Sequence, residues 1–169
     1  MEGQSAFTYA LNKDTICALA TPAGMAAIAV IRVSGKETFS LMDRIFYPLK
    51  KLNTIADAEG YRILFGTIRN GQGDTLDEVL VSVFKNPHSY TGEDAVEISC
   101  HGSVFIQQQL MELLFSHGAR LAAPGEFTMR AFSNGKFDLA QAEAVGDLIA
   151  SHSKTSHELA MQQMWWVFR

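Results

Sequence analysis

Cysteine, basic charge and long apolar runs are all scarce in this sequence, and each scarcity narrows what the chain can be. Its two cysteines, Cys17 and Cys100, sit in apolar strand-like runs with no CxxC or zinc spacing. That pattern points to buried free thiols in a reducing compartment, not to a disulfide framework. Lysine and arginine number 14 against 18 acidic residues, a formal net charge of -4. No overall positive field draws such a chain to nucleic acid, so any RNA partner needs another part of a larger assembly for most of the grip. No window approaches a membrane span. The opening "MEGQSAFTYALNKD" lacks both the basic-then-apolar order of a signal peptide and the arginines of a transit peptide. The chain reads as soluble and cytoplasmic.

What is present is globular. With 47% hydrophobic and 19% charged residues over 169 positions, the chain can bury a core in one or two domains and is not globally disordered. "DTICALATP" and "AIAVIRVSG" read as strands joined by the turn "TPAGMA". Ser34 and Glu37 stand at capping-box spacing before Phe39, Met42, Ile45 and Phe46, which predicts a helix from about Lys36 to Tyr47. Residues 50–60 read as a surface connection. "YRILFGTIRN", the turn "GQGD" and "DEVLVSVFKNP" predict a hairpin. "AVEISC" is another strand, residues 103–117 a helix closed by Gly118, and "ARLAA" a last short strand. After Pro124 the pattern becomes helical. "EFTMRAFSN" ends at Gly135, and Asp138 with Gln141 caps a longer helix with the stripe Leu139, Ala142, Val145 and Ile149. Weaker helical character continues from Ser151 to Met164. The expected fold is therefore α+β, a mixed sheet with packed helices over residues 1–124, followed by the start of an all-helical domain over 125–169.

The chemistry-bearing residues are few. Neither "RVSGKET" nor "SNGKFDL" has the leading glycine and trailing hydroxyl residue of a P-loop, so GTP or ATP cannot bind here through one. The five histidines are scattered, and His152 and His157 do not share a helix face, which leaves no metal site. Cys100 and His101 are neighbours on a strand and point to opposite faces, which argues against a Cys/His nucleophile. Three charges are harder to dismiss. Arg32 interrupts an apolar strand on the face of Ile28 and Val30, and Glu97 interrupts another on the face opposite Val96 and Ile98. Lys136 precedes the helix opened at Asp138, whose free amides favour an anion. A guanidinium offers donors to a carboxylate, and a glutamate accepts paired donors from an amino-heterocycle edge. Pattern alone favours the plainer alternative, Arg32 and Glu97 as a salt bridge between neighbouring strands with Lys136 facing solvent.

The stretches "DTICALATPAG", "IAVIRVSG", "YTGEDAVEISCHG", "PGEFTMRAFSNGKFDLAQAEAVGDLI" and "MQQM" together resemble the N-terminal part of the MnmE, or TrmE, family of tRNA modification GTPases. The resemblance runs in order through about residues 14–164. It implies an α+β domain similar to the tetrahydrofolate-binding domain of the glycine-cleavage T protein and of dimethylglycine oxidase, which binds 5-formyltetrahydrofolate or a related reduced folate and forms the homodimer. Carried over by motif, the family's folate contacts fall on Arg32, Glu97 and Lys136. The pterin's adjacent N–H donors suit a carboxylate, and the glutamyl tail suits Arg32 or Lys136. The family's longer chain adds a helical domain with an inserted GTPase domain that uses GTP, magnesium and potassium. With the flavoprotein MnmG it modifies C5 of the wobble uridine of certain tRNAs.

Two departures stand out. Where many members have "TPPGRGG", this sequence has "TPAGMAA", with Met25, Ala26 and Ala27 in place of an arginine and two glycines, which makes the loop less basic. The resemblance stops at "WWVFR", before the GTPase domain and the family's C-terminal Cys-x-Gly-Lys motif with its proposed catalytic cysteine. That predicts a truncation or a reading-frame change near Met164, with the aromatic ending uncovered. Three functions follow as expectations: a folate-binding and dimerising module, a stand-alone one-carbon transferase, or a dimerisation scaffold alone.

Overall fold

The computed structural model describes residues 14–50 and 52–165; the aromatic ending, from the side chain of Trp165 onward, lies outside the described residues. Contacts gather the chain into two compact units. One comprises Asn12–Ser89 and Glu93–Ala123, and the other includes Tyr90–Gly92 and Pro124 onward.

The first unit is built on a seven-stranded mixed sheet: β1 (Ile16–Leu19), β2 (Ile28–Ser34), β3 (Phe46–Pro48), β4 (Arg62–Arg69), β5 (Thr75–Phe84), β6 (Ala95–His101) and β7 (Arg120–Leu121). Their order across the sheet is β3-β4-β5-β6-β2-β1-β7. Every pairing is antiparallel except β1 with β7, which is parallel and is tied by Arg120 donating from Nε and Nη2 to both carboxylate oxygens of Asp14. Period two sorts each strand into two faces. Val33, Ile31, Val96, Ile98, Val81 and Val83 point inward, and the inner face is closed by α1 (Thr38–Ile45) and α2 (Val104–Ser116) through Leu41, Met42, Ile45, Leu110 and Leu114. Each such side chain contributes about 1.5–3 kcal/mol when fully buried.

The hairpin β4–β5, the strands around Arg32 and Glu97, and the helix before Gly118 stand where the sequence puts them. The start of α1 does not. Ser34 and Glu37 form no capping box, because the Ser34 hydroxyl donates to Glu93 Oε2 at 2.7 Å and the Glu37 amide donates instead to Thr15 Oγ1 at 3.1 Å. The helix is also shorter than expected, since Phe46 leaves it directly to begin β3 beside β4, a strand the helical spacing concealed.

The second unit holds α3 (Glu126–Ser133), α4 (Leu139–Ile149) and α5 (Lys154–Trp165). Asp138 and Gln141 do form the expected capping box at the start of α4: Gln141 N donates to Asp138 Oδ1 at 2.8 Å, and Asp138 N donates to Gln141 Oε1 at 2.9 Å. The apolar stripe is a correction. Leu139 and Ile149 are 57% and 80% exposed, and the buried positions of α4 are Gln141 and Ala144. Small residues allow two helices to approach closely, and Ala144 on α4 and Ala160 on α5 are both fully shielded. Gln141 also donates from Nε2 to Met164 O at 3.1 Å, joining the start of α4 to the end of α5.

Candidate functional site

Antiparallel pairing of β2 with β6 sets Arg32 directly opposite Glu97, and the pleat puts both on the sheet face turned away from α1 and α2. Arg32 donates from Nε at 3.0 Å and from Nη2 at 2.7 Å, and both bonds converge on Glu97 Oε1. Oε2 of Glu97 receives no donor among the described residues. The side chains are 26% and 31% exposed, so solvent screens the pair and its worth to stability is about 0–1 kcal/mol. A carboxylate held in place by one edge, with the other edge open, can accept a ligand's N–H groups without a large structural cost. Flanking partners in the same row are Ala18 on β1 and Ser82 on β5, both too short to crowd the pair.

The turn after β2 has a structural reason for its glycine. Gly35 adopts φ +136°, and a methyl group there would lie 2.7 Å from the Thr15 Cα, so the Gly-Lys pair of "RVSGKET" marks a close backbone approach. The preceding turn, residues 20–27, is held from α2: Gln107 donates from Nε2 to Gly24 O at 3.0 Å and to Gly102 O at 3.1 Å, while Met25 stands 90% exposed. Cys17 and Cys100 are buried free thiols. Burial pushes Cys17 up to about 12, and burial together with the Asp77 charge pushes Cys100 up to about 11, so neither supplies a thiolate near neutral pH.

Lys136 belongs to the second unit, so these three site residues are divided between the units. Its amide donates to Ala131 O at 2.8 Å, and the side chain is exposed. Beside it, Asn134 donates from Nδ2 to Thr91 O at 2.7 Å, the Tyr90 ring meets Phe137 edge-on at 5.4 Å, and the Tyr90 hydroxyl lies 2.9 Å from Thr128 Oγ1.

Two contacts of shielded acidic side chains escaped the sequence. Asp77, in the inward row of β5, accepts from His101 N at 2.8 Å and Glu78 N at 2.9 Å and lies 2.7 Å from His101 Nδ1. It thereby satisfies the end of β6 beyond its last ladder partner on β5. In α3, Glu126 and Arg130 form a 3.0 Å pair with side chains 0% and 1% exposed. Their i,i+4 spacing is visible in the sequence, but it is the spacing of ordinary solvated helix pairs.

The family described as "GTP-binding protein TrmE N-terminus" matches residues 15–136. The chain belongs to that family. Among curated relatives, the tRNA modification GTPase MnmE of Bacteroides thetaiotaomicron is 57% identical over 154 residues, covering 91% of this chain and 33% of the relative. The MnmE of Flavobacterium johnsoniae is 56% identical over 154 residues, and that of Cytophaga hutchinsonii is 54% identical over 160, covering 95% of this chain and 34% of the relative. The chain thus spans about a third of the length of these MnmE relatives. Within the TrmE N-terminus match fall the whole sheet, α3, Arg32, Glu97 and Lys136. Among the described residues, no helix is long and apolar enough to cross a membrane, and no cluster of His, Cys, Asp and Glu could hold a metal.

Proposed function

We propose that this chain is the folate-binding and dimerisation module of a tRNA modification GTPase that works with MnmG on C5 of the wobble uridine, and that Arg32, Glu97 and Lys136 contact the folate. The observation that carries the reading is the half-exposed Arg32–Glu97 pair with Glu97 Oε2 left open. A reduced pterin presents neighbouring N–H donors that two carboxylate oxygens can accept, and its glutamyl tail carries anions for the cationic residues. GTP, magnesium and potassium belong to the remainder of the relatives' length in this reading. The fold it implies is that of the T-protein folate domain.

Isothermal titration with 5-formyltetrahydrofolate tests the proposal. Saturable binding is expected, and Glu97→Ala weakens it by about tenfold or more, the size of one lost charge-assisted bond. A folded chain that takes up no folate overturns it.

A dimerisation scaffold without ligand is the second reading, favoured by a specific surface. Phe65 and Leu80 are cross-strand partners on the outer sheet face, Ile63 lies beside them, and all three are exposed. The row beside Phe65 and Leu80 runs Ile63, Ser82, Glu97, Arg32, so the apolar patch borders the charged pair. Sedimentation with and without folate separates the readings: a scaffold dimerises regardless and gains no stability from ligand, whereas a binding module gains about 2.7 kcal/mol at a hundredfold excess over Kd.

A further inference from the structure

The segment "YTG", Tyr90–Gly92, packs with the helical unit although the strands on either side of it belong to the sheet. Each of its residues makes contact there. Tyr90 meets Thr128 and Phe137, the Thr91 carbonyl receives Asn134, and Gly92 lies beneath the stem of Lys136. A methyl group on Gly92 would stand 3.0 Å from Asn134 Cβ and 3.3 and 3.4 Å from Lys136 Cγ and Cδ. Gly92 is itself buried and takes φ +77°, a left-handed conformation that residues with a side chain rarely adopt.

We propose that Gly92 is a positioning residue for Lys136. Its bare Cα forms a seat along which the aliphatic stem of the lysine lies, so that the ammonium reaches the ligand from one direction instead of sampling the many rotamers of a free lysine. The inference rests on the folate reading for what the ammonium meets, but the seat itself is a property of the unliganded chain. The physical basis is entropic and steric. A long side chain gives up rotamer freedom on binding, and a surface that already confines its methylenes removes part of that cost. A side chain at residue 92 would push the stem away while leaving the ammonium's charge intact.

The test has two arms, both on the full chain. In unliganded protein, nuclear Overhauser effects are expected between the Gly92 α-hydrogens and the γ and δ hydrogens of Lys136; their absence overturns the proposal whether or not folate binds. In the second arm, Gly92→Ala is expected to weaken 5-formyltetrahydrofolate about tenfold, and to cost nothing further in a Lys136→Met background, which keeps a stem but has no ammonium. An undiminished penalty in that background means Gly92 acts through backbone strain alone and overturns the proposal, as does an unchanged affinity in the single variant. If Gly92→Ala fails to fold, Asn134→Ala carries the same cycle, because it releases Thr91 without straining residue 92. A parent chain that binds no folate sinks the ligand reading and leaves the first arm to decide the seat.

Discussion

In the sheet unit most of the side chains shut away from water are hydrocarbon: valines and isoleucines of β2, β5 and β6 against Leu41, Met42, Ile45, Leu110 and Leu114. The helical unit differs. Its best-shielded residues are Thr91, Glu126, Arg130, Ala131, Ala144 and Ala160, while Leu139, Ile149 and Leu159 remain largely exposed. The two units also treat charge in opposite ways. On the sheet, Arg32 and Glu97 meet at the surface, where pairing is worth little and can be rearranged. In α3, Glu126 and Arg130 meet away from solvent, where breaking a charge pair is costly. A charge pair near solvent is therefore available for binding, and one inside a helical bundle is committed to structure.

The sharpest way to break this comparison is to remove half of the buried pair. Glu126→Ala should destabilise the helical unit by about 3–5 kcal/mol, read as loss of amide-exchange protection in residues 126–160 before the sheet strands lose theirs. Equal loss in both units would mean that the pair supports the whole chain. In the sheet unit, Leu110→Ala should cost about 3 kcal/mol through the cavity it leaves, measured by denaturant midpoint at unchanged slope. A cost below about 1 kcal/mol would show that the inner face can collapse around the gap. At the small end, Leu139→Gln together with Ile149→Gln should change stability by no more than about 0.5 kcal/mol. A larger loss by thermal unfolding would reveal that these exposed side chains are covered in solution.

The strands and the Arg32–Glu97 pair were legible because a charge inside a period-two apolar run is conspicuous and an antiparallel register leaves few partners for it. The Asp138–Gln141 cap was legible because a capping box is local: both bonds close within four residues. Ser34 and Glu37 carried the same spacing and misled, since their hydrogen bonds go to residues distant in sequence, Glu93 and Thr15 for the Ser34 hydroxyl and the Glu37 amide. The stripe on α4 misled because the shielded positions of α4 and α5 are Gln141, Ala144 and Ala160, polar or small residues that periodicity weighs less than leucine or isoleucine. Asp77 and the Glu126–Arg130 pair could not be found from pattern: acidic and basic residues at these spacings mostly face water, and only the three-dimensional surroundings reveal the exceptions.

The grip of Gln107 on the carbonyls of Gly24 and Gly102 has a consequence for how this surface can vary. Because the turn is fastened through its backbone, its path does not depend on the side chain at Met25, which is 90% exposed. Replacing an arginine there by methionine alters the charge and greasiness of a rim without redrawing its outline. The turn behaves as a fixed socket with an exchangeable bit, so a substitution at residue 25 retunes what meets that edge.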